Sequence, residues 1–213
     1  MRAATAVLVV LAGSAVGCTD ADDTTADDAA TDGSPPPAAT STVSGPLCEF
    51  LPGDGDPGGP DALENEAADV ALTWMPVLTV FEAGVRATGL DEDLNAADGI
   101  TILAPTDDAF DAVLSEQTLD DLILFRQDEL RALLERHVID EPLGLAELVA
   151  AGTVTTRAGE AVTVTAEGDM ARLDQDVVTV CADYRVGNGR IHIIDGVLGE
   201  LPEPAPEDED IGN

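Results

Sequence analysis

The chain has 213 residues, room for one domain with flanking segments, and a formal net charge of −34. All nine basic residues are arginine against 43 acidic ones, a charge that repels DNA, RNA and anionic lipid surfaces and argues against nucleic acid as a partner. With one tryptophan, one tyrosine and four phenylalanines, the core must be built mainly from Val, Leu, Ile and Ala.

Met1–Gly17 reads as an export signal. Arg2 is a minimal positive start, and Ala3–Leu11 is apolar but too short to span a bilayer. Ser14-Ala-Val-Gly-Cys18 then resembles a bacterial lipoprotein signal, which predicts acylation of Cys18 and a lipid anchor as the sole membrane attachment. Ala15 stands where such signals usually carry leucine, and Ala15 with Gly17 also suits an ordinary signal peptidase, which would give a secreted form. Residues 18–44 are Asp, Thr, Ala, Ser and Pro without apolar periodicity, so they read as a disordered spacer with a root-mean-square span of roughly 30 Å. Residues 201–213 read as a second acidic, disordered tail, leaving residues 45–200 as the folded unit. Three cysteines is an odd count for an exported chain. Lipidation of Cys18 leaves Cys48 and Cys181 to pair outside the membrane or to remain free thiols. A bridge would close a loop of over a hundred residues, contributing roughly 4–5 kcal/mol in the chain-entropy model.

Within the folded unit, a helix is expected from Asp61, as N-cap, to about Thr73, and a second with Pro76 in its first turn. Val77, Leu78, Phe81 and Val85 recur at helical spacing in that second helix, and Gly89 fits its end. Trp74 and Met75 read as core. Thr101–Ala104 is a short buried strand ended by Pro105; Thr106 caps the next helix, Asp107 and Asp108 suit its dipole, and Phe110 turns inward. Thr118-Leu-Asp-Asp121 looks like a capping-box start, and the leucines from Leu122 to Leu134 supply two short helices split near Arg126. His137-Val-Ile139 is a strand, and Leu143–Ala150 a brief helix stopped at Gly152. Strands follow at Thr153–Thr156, Ala161–Ala166, Met170–Leu173, Val177–Ala182 and Arg190–Val197, separated by Gly and Asp turns. Helices first and strands later make the class α+β.

Three segments together resemble the fasciclin domain, an extracellular adhesion and binding module. They are Thr101-Ile-Leu-Ala-Pro-Thr-Asp-Asp-Ala-Phe110, His137-Val-Ile139 after Leu133-Leu-Glu-Arg136, and the run Asn188–Leu198, which holds Gly189, His192, Asp195 and Leu198. The likeness spans about Trp74–Leu198 and is closest to single-domain actinobacterial fasciclin antigens, secreted or lipid-anchored, which also carry one cysteine before the domain and one in a late strand. It implies a wedge of two β-sheets flanked by helices. Some animal adhesion members place a tyrosine before the central histidine; here that residue is Arg136, so their cell-binding role is not carried over.

No catalytic constellation emerges beside this resemblance. His137 and His192 are the only histidines, and a lone strand histidine is ordinarily structural. Ser115, the one serine of the folded unit, lacks the glycines of a nucleophile elbow. Asp91-Glu-Asp93-Leu-Asn95 starts like an EF-hand loop, but Ala96 replaces the turn glycine and Ile102 the terminal glutamate. Arg126, Arg131 and Arg136 read as a solvated face laced by Asp128–Arg131 and Arg131–Glu135 pairs. The resulting expectation is a non-enzymatic, lipid-anchored surface module with no metal and no cofactor, binding an extracellular protein or polysaccharide. The alternatives are a small-ligand or ion-binding envelope lipoprotein and, more remotely, an extracellular hydrolase.

Overall fold

The computed structural model describes residues 43–204. Its centre is strand β1, Ile100–Pro105, buried along its whole length. The reason is visible in its side chains: Ile102 and Ala104 enter one hydrophobic core, while Leu103 enters another on the opposite face. A strand covered on both faces has no polar alternation to display, hence the unbroken apolar run. Beside it lies β7, Gly189–Ile194, parallel to β1, with Ile102 opposite Ile191 and Leu103 opposite His192. The short β2, Val138–Ile139, closes the other side of β1 in antiparallel register.

The remaining strands are β3 (Thr153–Thr155), β4 (Ala161–Glu167), β5 (Met170–Leu173) and β6 (Val177–Val186). The hydrogen-bonded order is β2-β1-β7-β6-β5-β4-β3. Strand β6 joins two halves. Val177 and Val178 pair with β5, whereas Thr179 to Val186 pair with β7 across two register irregularities. Bulges bend a strand, and β6 contributes to both cores, with Tyr184 and Val186 in the first and Ala182 in the second. In β4, Val162 and Val164 are buried between exposed neighbours, the alternation of a half-covered strand.

Among the described residues eight α-helices surround the sheet: α1 (Pro60–Leu63), α2 (Ala68–Thr73), α3 (Thr79–Ala87), α4 (Leu90–Ala96), α5 (Asp107–Asp111), α6 (Glu116–Phe125), α7 (Gln127–Glu135) and α8 (Leu145–Ala151). Phe81 and Val85 of α3 meet Leu130 and Leu134 of α7 in the first core, with Ile102, Tyr184 and Ile191. The second core is formed by Leu103, Leu148, Val164, Leu173, Ile194 and Leu198. A 3₁₀ turn at Pro46–Phe50 carries Cys48, which is disulfide-bonded to Cys181 of β6 with the Cα atoms 5.2 Å apart. Gly45 makes the approach possible, since a Cβ there would sit 2.3 Å from the Val180 carbonyl oxygen.

The structure is α+β, as expected, and corrects several local readings. The helix expected over 61–73 is two helices, because the β6–β7 turn docks between them. Gly187 N–H donates to Glu66 O at 2.6 Å, and Ala68 N–H donates to the Asn188 side chain at 3.1 Å. Asp61 is not a cap but lies inside α1, where its carboxylate accepts from Gly55 N–H. Pro76 sits in a turn before α3 rather than in its first turn. The would-be EF-hand start is α4, whose acidic first turn suits the positive helix end. Helix α6 begins at Ser115, which caps it through Thr118 N–H at 3.1 Å, three residues before the expected start. Met75 is buried, but Trp74 is 47% exposed. Strand β6 runs four residues further than expected, to Val186, and β7 stops at Ile194.

Candidate functional site

The motif side chains converge on the ends of β1 and β7, where polar groups hold loops in place. Thr101 Oγ1 donates to Glu141 O at 2.6 Å and accepts from Leu143 N–H at 2.7 Å. His192 Nε2 lies 2.9 Å from Leu143 O, and its Nδ1 accepts from Asp183 N–H at 3.2 Å. Two motif residues on neighbouring strands therefore grip one loop, residues 141–143. His137 does similar work elsewhere: its Nε2 accepts from Leu198 N–H at 2.9 Å, and its Nδ1 lies 2.9 Å from Leu133 O. Accepting an amide proton fixes the tautomers, with His137 protonated on Nδ1 and His192 on Nε2. Burial drives both pKa values down, His137 to about 4, against the opposing pull of the Leu133 and Leu143 carbonyls and, for His192, of the Asp183 charge; Arg136 and Arg190 add smaller downward pushes. Both rings are neutral at pH 7.

The other motif residues are similarly committed. Asp195 accepts from Val178 N–H at 2.7 Å, and Thr106 caps α5 through Ala109 N–H at 3.1 Å. Pro105 is the last residue of β1, opposite Ile194, while Phe110 and Leu198 are buried. Gly189 passes so close to β1 that a Cβ would meet Ile100 O at 2.1 Å. These groups position strands and loops. Cys18 and residues 1–17 lie outside the described residues.

Three further side chains organise this region, and sequence reasoning did not single them out for it. Asn188 donates to Leu94 O at 2.7 Å while accepting from Ala68 N–H, so one amide ties α2 to α4. Asp107 accepts from Val80 N–H and from the Thr79 hydroxyl, each at 2.8 Å, and so caps α3 from α5. Asp183 caps α8 through Leu145 N–H at 2.9 Å. Each partner is at least 27 residues distant in the chain. The available signal was only a polar residue within or beside a motif.

The sequence model of the fasciclin domain matches residues 76–200. The chain belongs to the fasciclin family. Protein sll1483 of Synechocystis sp. is 34% identical over 143 residues, which cover 64% of this chain and 78% of that protein. Transforming growth factor-beta-induced protein ig-h3 of Sus scrofa is 32% identical over 125 residues, 59% of this chain but only 18% of the larger animal protein. Among solved structures, a FAS1 domain pair from the insect cell adhesion molecule Fasciclin I superposes with a TM-score of 0.46 at 23% identity, covering 56% of this chain and 44% of that one.

On the outside of this fasciclin domain, the expected arginine face is a set of staples. Arg131 pairs with Glu135 at 3.0 Å and reaches Asp93 on α4 rather than Asp128. Arg126 joins Asp121 and Glu129 and donates to Glu203 O at 2.9 Å; Arg136 pairs with Glu160 at 3.0 Å and binds Glu200 O. Together they fasten residues 200–203 across α6 and α7. Two concavities border motif residues. An open cleft of ≈ 600 Å³ runs past Asn188 and Gly189, with Arg185 and Arg190 in its wall. A groove of ≈ 360 Å³ lies between Phe50, Leu47 and α5, beside Thr106 and Asp195. Among the described residues no helix is long and apolar enough to cross a membrane.

Proposed function

We propose that this fasciclin protein is a non-enzymatic adhesion module displayed on a bacterial envelope, binding an extracellular protein or polysaccharide through its outer surface. One observation carries the reading. The polar side chains of the family motifs, Thr101, Thr106, His137, His192 and Asp195, are all engaged in internal hydrogen bonds. Two of them are imidazoles held neutral with both nitrogens occupied, so neither is free to shuttle a proton to a ligand. What this architecture offers a partner is a rigid surface, stapled by the Cys48–Cys181 bond. Family membership supports the same reading. The Ser14–Cys18 segment and the spacer of residues 18–44 support export, acylation at Cys18 and display away from the membrane.

The test is cell-surface binding by the full chain and by its Cys18→Ala variant. The native chain should fractionate with membranes and show saturable, fold-dependent capture of surface glycan or protein. Cys18→Ala should appear in the medium with its binding intact. Robust turnover of a substrate, abolished by a single His or carboxylate substitution, would defeat the non-enzymatic reading.

A further inference from the structure

Arginine is scarce in this chain, and its placement is therefore informative. Seven of the eight described arginines lie within 4 Å of a carboxylate: Arg86, Arg126, Arg131, Arg136, Arg157, Arg172 and Arg185. The eighth, Arg190, forms neither an ion pair nor a side-chain hydrogen bond with any described residue, in a chain with 43 acidic residues to choose from. Its cross-strand neighbour is another cation. In the β6–β7 ladder Arg185 stands directly opposite Arg190. Directly opposed side chains have Cβ atoms about 5 Å apart, and like charges in that position repel. The adjoining pair, Tyr184 and Ile191, is buried in the first core, so the arginines project from the other face.

That face opens into the ≈ 600 Å³ cleft, whose wall also holds Glu64 and Asp98 and the glycine backbone at Gly99 and Gly189. Glu64 is 3.6 Å from Arg185, too far for a close charge-assisted hydrogen bond, and side chains of both residues are 47% exposed. Two adjacent guanidinium forks form a receptor for a planar carboxylate. Glu64 and Asp98 are acceptors suited to hydroxyl groups. The net charge of −34 opposes an acidic peptide and a polyuronate alike, so the choice between them rests on the density of hydroxyl donors that can face Glu64 and Asp98. A uronic acid carries one carboxylate per ring and surrounds it with hydroxyls, so it matches both halves of the cleft.

Building on the adhesion reading above, we propose that Arg185 and Arg190 form a subsite for the carboxylate of a uronic-acid residue in an extracellular polysaccharide, with Glu64 and Asp98 accepting from its hydroxyls.

Calorimetric titration of the full chain with trigalacturonate, in about 0.15 M salt to screen the long-range repulsion, tests this. Saturable binding is expected, weakened about tenfold or more by Arg190→Gln and by Arg185→Gln, and unchanged by Arg172→Gln on β5. Arg190→Gln should melt with the native protein, since no ion pair is lost. Neutral galactotriose should bind at least about tenfold more weakly. The inference is overturned if trigalacturonate does not bind, if galactotriose binds equally, if neither wall substitution matters, or if a glutamate-rich peptide binds more tightly. If cell-surface capture survives Arg190→Gln while trigalacturonate fails, the subsite is wrong and the adhesion reading stands. If the native chain shows neither surface capture nor trigalacturonate binding, both are wrong.

Discussion

A neutral imidazole donates at one nitrogen and accepts at the other, and His137 uses each in a site closed to water. Protonation would turn Nε2 into a donor facing the Leu198 N–H, leaving two donors opposed and a buried charge. The sign follows. The folded pKa of about 4 lies below the unfolded value of 6.5, so the unfolded chain binds more protons between these limits. The contribution of His137 is complete above pH 6.5 and is lost as pH falls towards 4, amounting to about 3 kcal/mol. His192 is shifted in the same direction. Carboxylates that take up protons in this range relieve repulsion and act oppositely, so the informative quantity is a difference. Denaturant unfolding at pH 7 and pH 4.5 should show His137→Gln approaching the native protein in stability as pH falls. A constant gap between the two would contradict the account. The motif position of this histidine was legible in the sequence. Its partners were not, because Leu198 lies 61 residues away and contributes only a backbone amide.

Element existence was easier to read than element limits, and the reason is physical. Leu122, Leu130 and Leu134 face a core at helical spacing, and Val162 and Val164 alternate with exposed neighbours, so α6, α7 and β4 declare themselves by period. A local cap made the start of α5 legible at Thr106, whereas Ser115, an equally local cap, was passed over for Thr118 at the start of α6. Helices α2, α3 and α8 are capped by Asn188, Asp107 and Asp183 from distant elements, and no local pattern encodes that. Asn188 makes the clearest case. In Asn188→Ala, the Ala68 N–H and the Leu94 carbonyl both lose a partner in a half-buried site. The expected cost is about 2 kcal/mol, or about 4–8 °C in Tm. Asn188→Asp retains the acceptor for Ala68 and should fall between the two. A Tm for the alanine variant within about 1 °C of the native protein would show that water replaces these bonds at little cost. The surface cleft beside this turn was not legible at all, since Arg185 and Arg190 become neighbours only through strand register.

At the scale of the whole molecule, a long-range stabiliser and a long-range destabiliser oppose each other. The Cys48–Cys181 bond spans 133 residues, for which the chain-entropy model gives about 5 kcal/mol. Against it stands a net charge of −34, whose self-repulsion is strongest in the compact state. Added salt affects two electrostatic classes with opposite sign. It weakens the ion pairs, but these involve seven described arginines whose carboxylate partners are 22–60% exposed, each pair contributing about 0–1 kcal/mol. It also screens repulsion among carboxylates that outnumber arginines 43 to nine. The screening length shrinks from about 10 Å at 0.1 M to about 3 Å at 1 M, shorter than most spacings between surface charges. Repulsion has many more pairs to lose, so the net effect should be stabilising. We expect Tm to rise by several degrees, roughly 2–4 °C per kcal/mol, between low and molar sodium chloride. Chloride is the appropriate salt, because sulfate would strengthen apolar burial regardless of charge. A flat or falling Tm across that range would mean that the arginine staples outweigh the acidic surplus, and that the surface charge is distributed widely enough to be neutral towards folding.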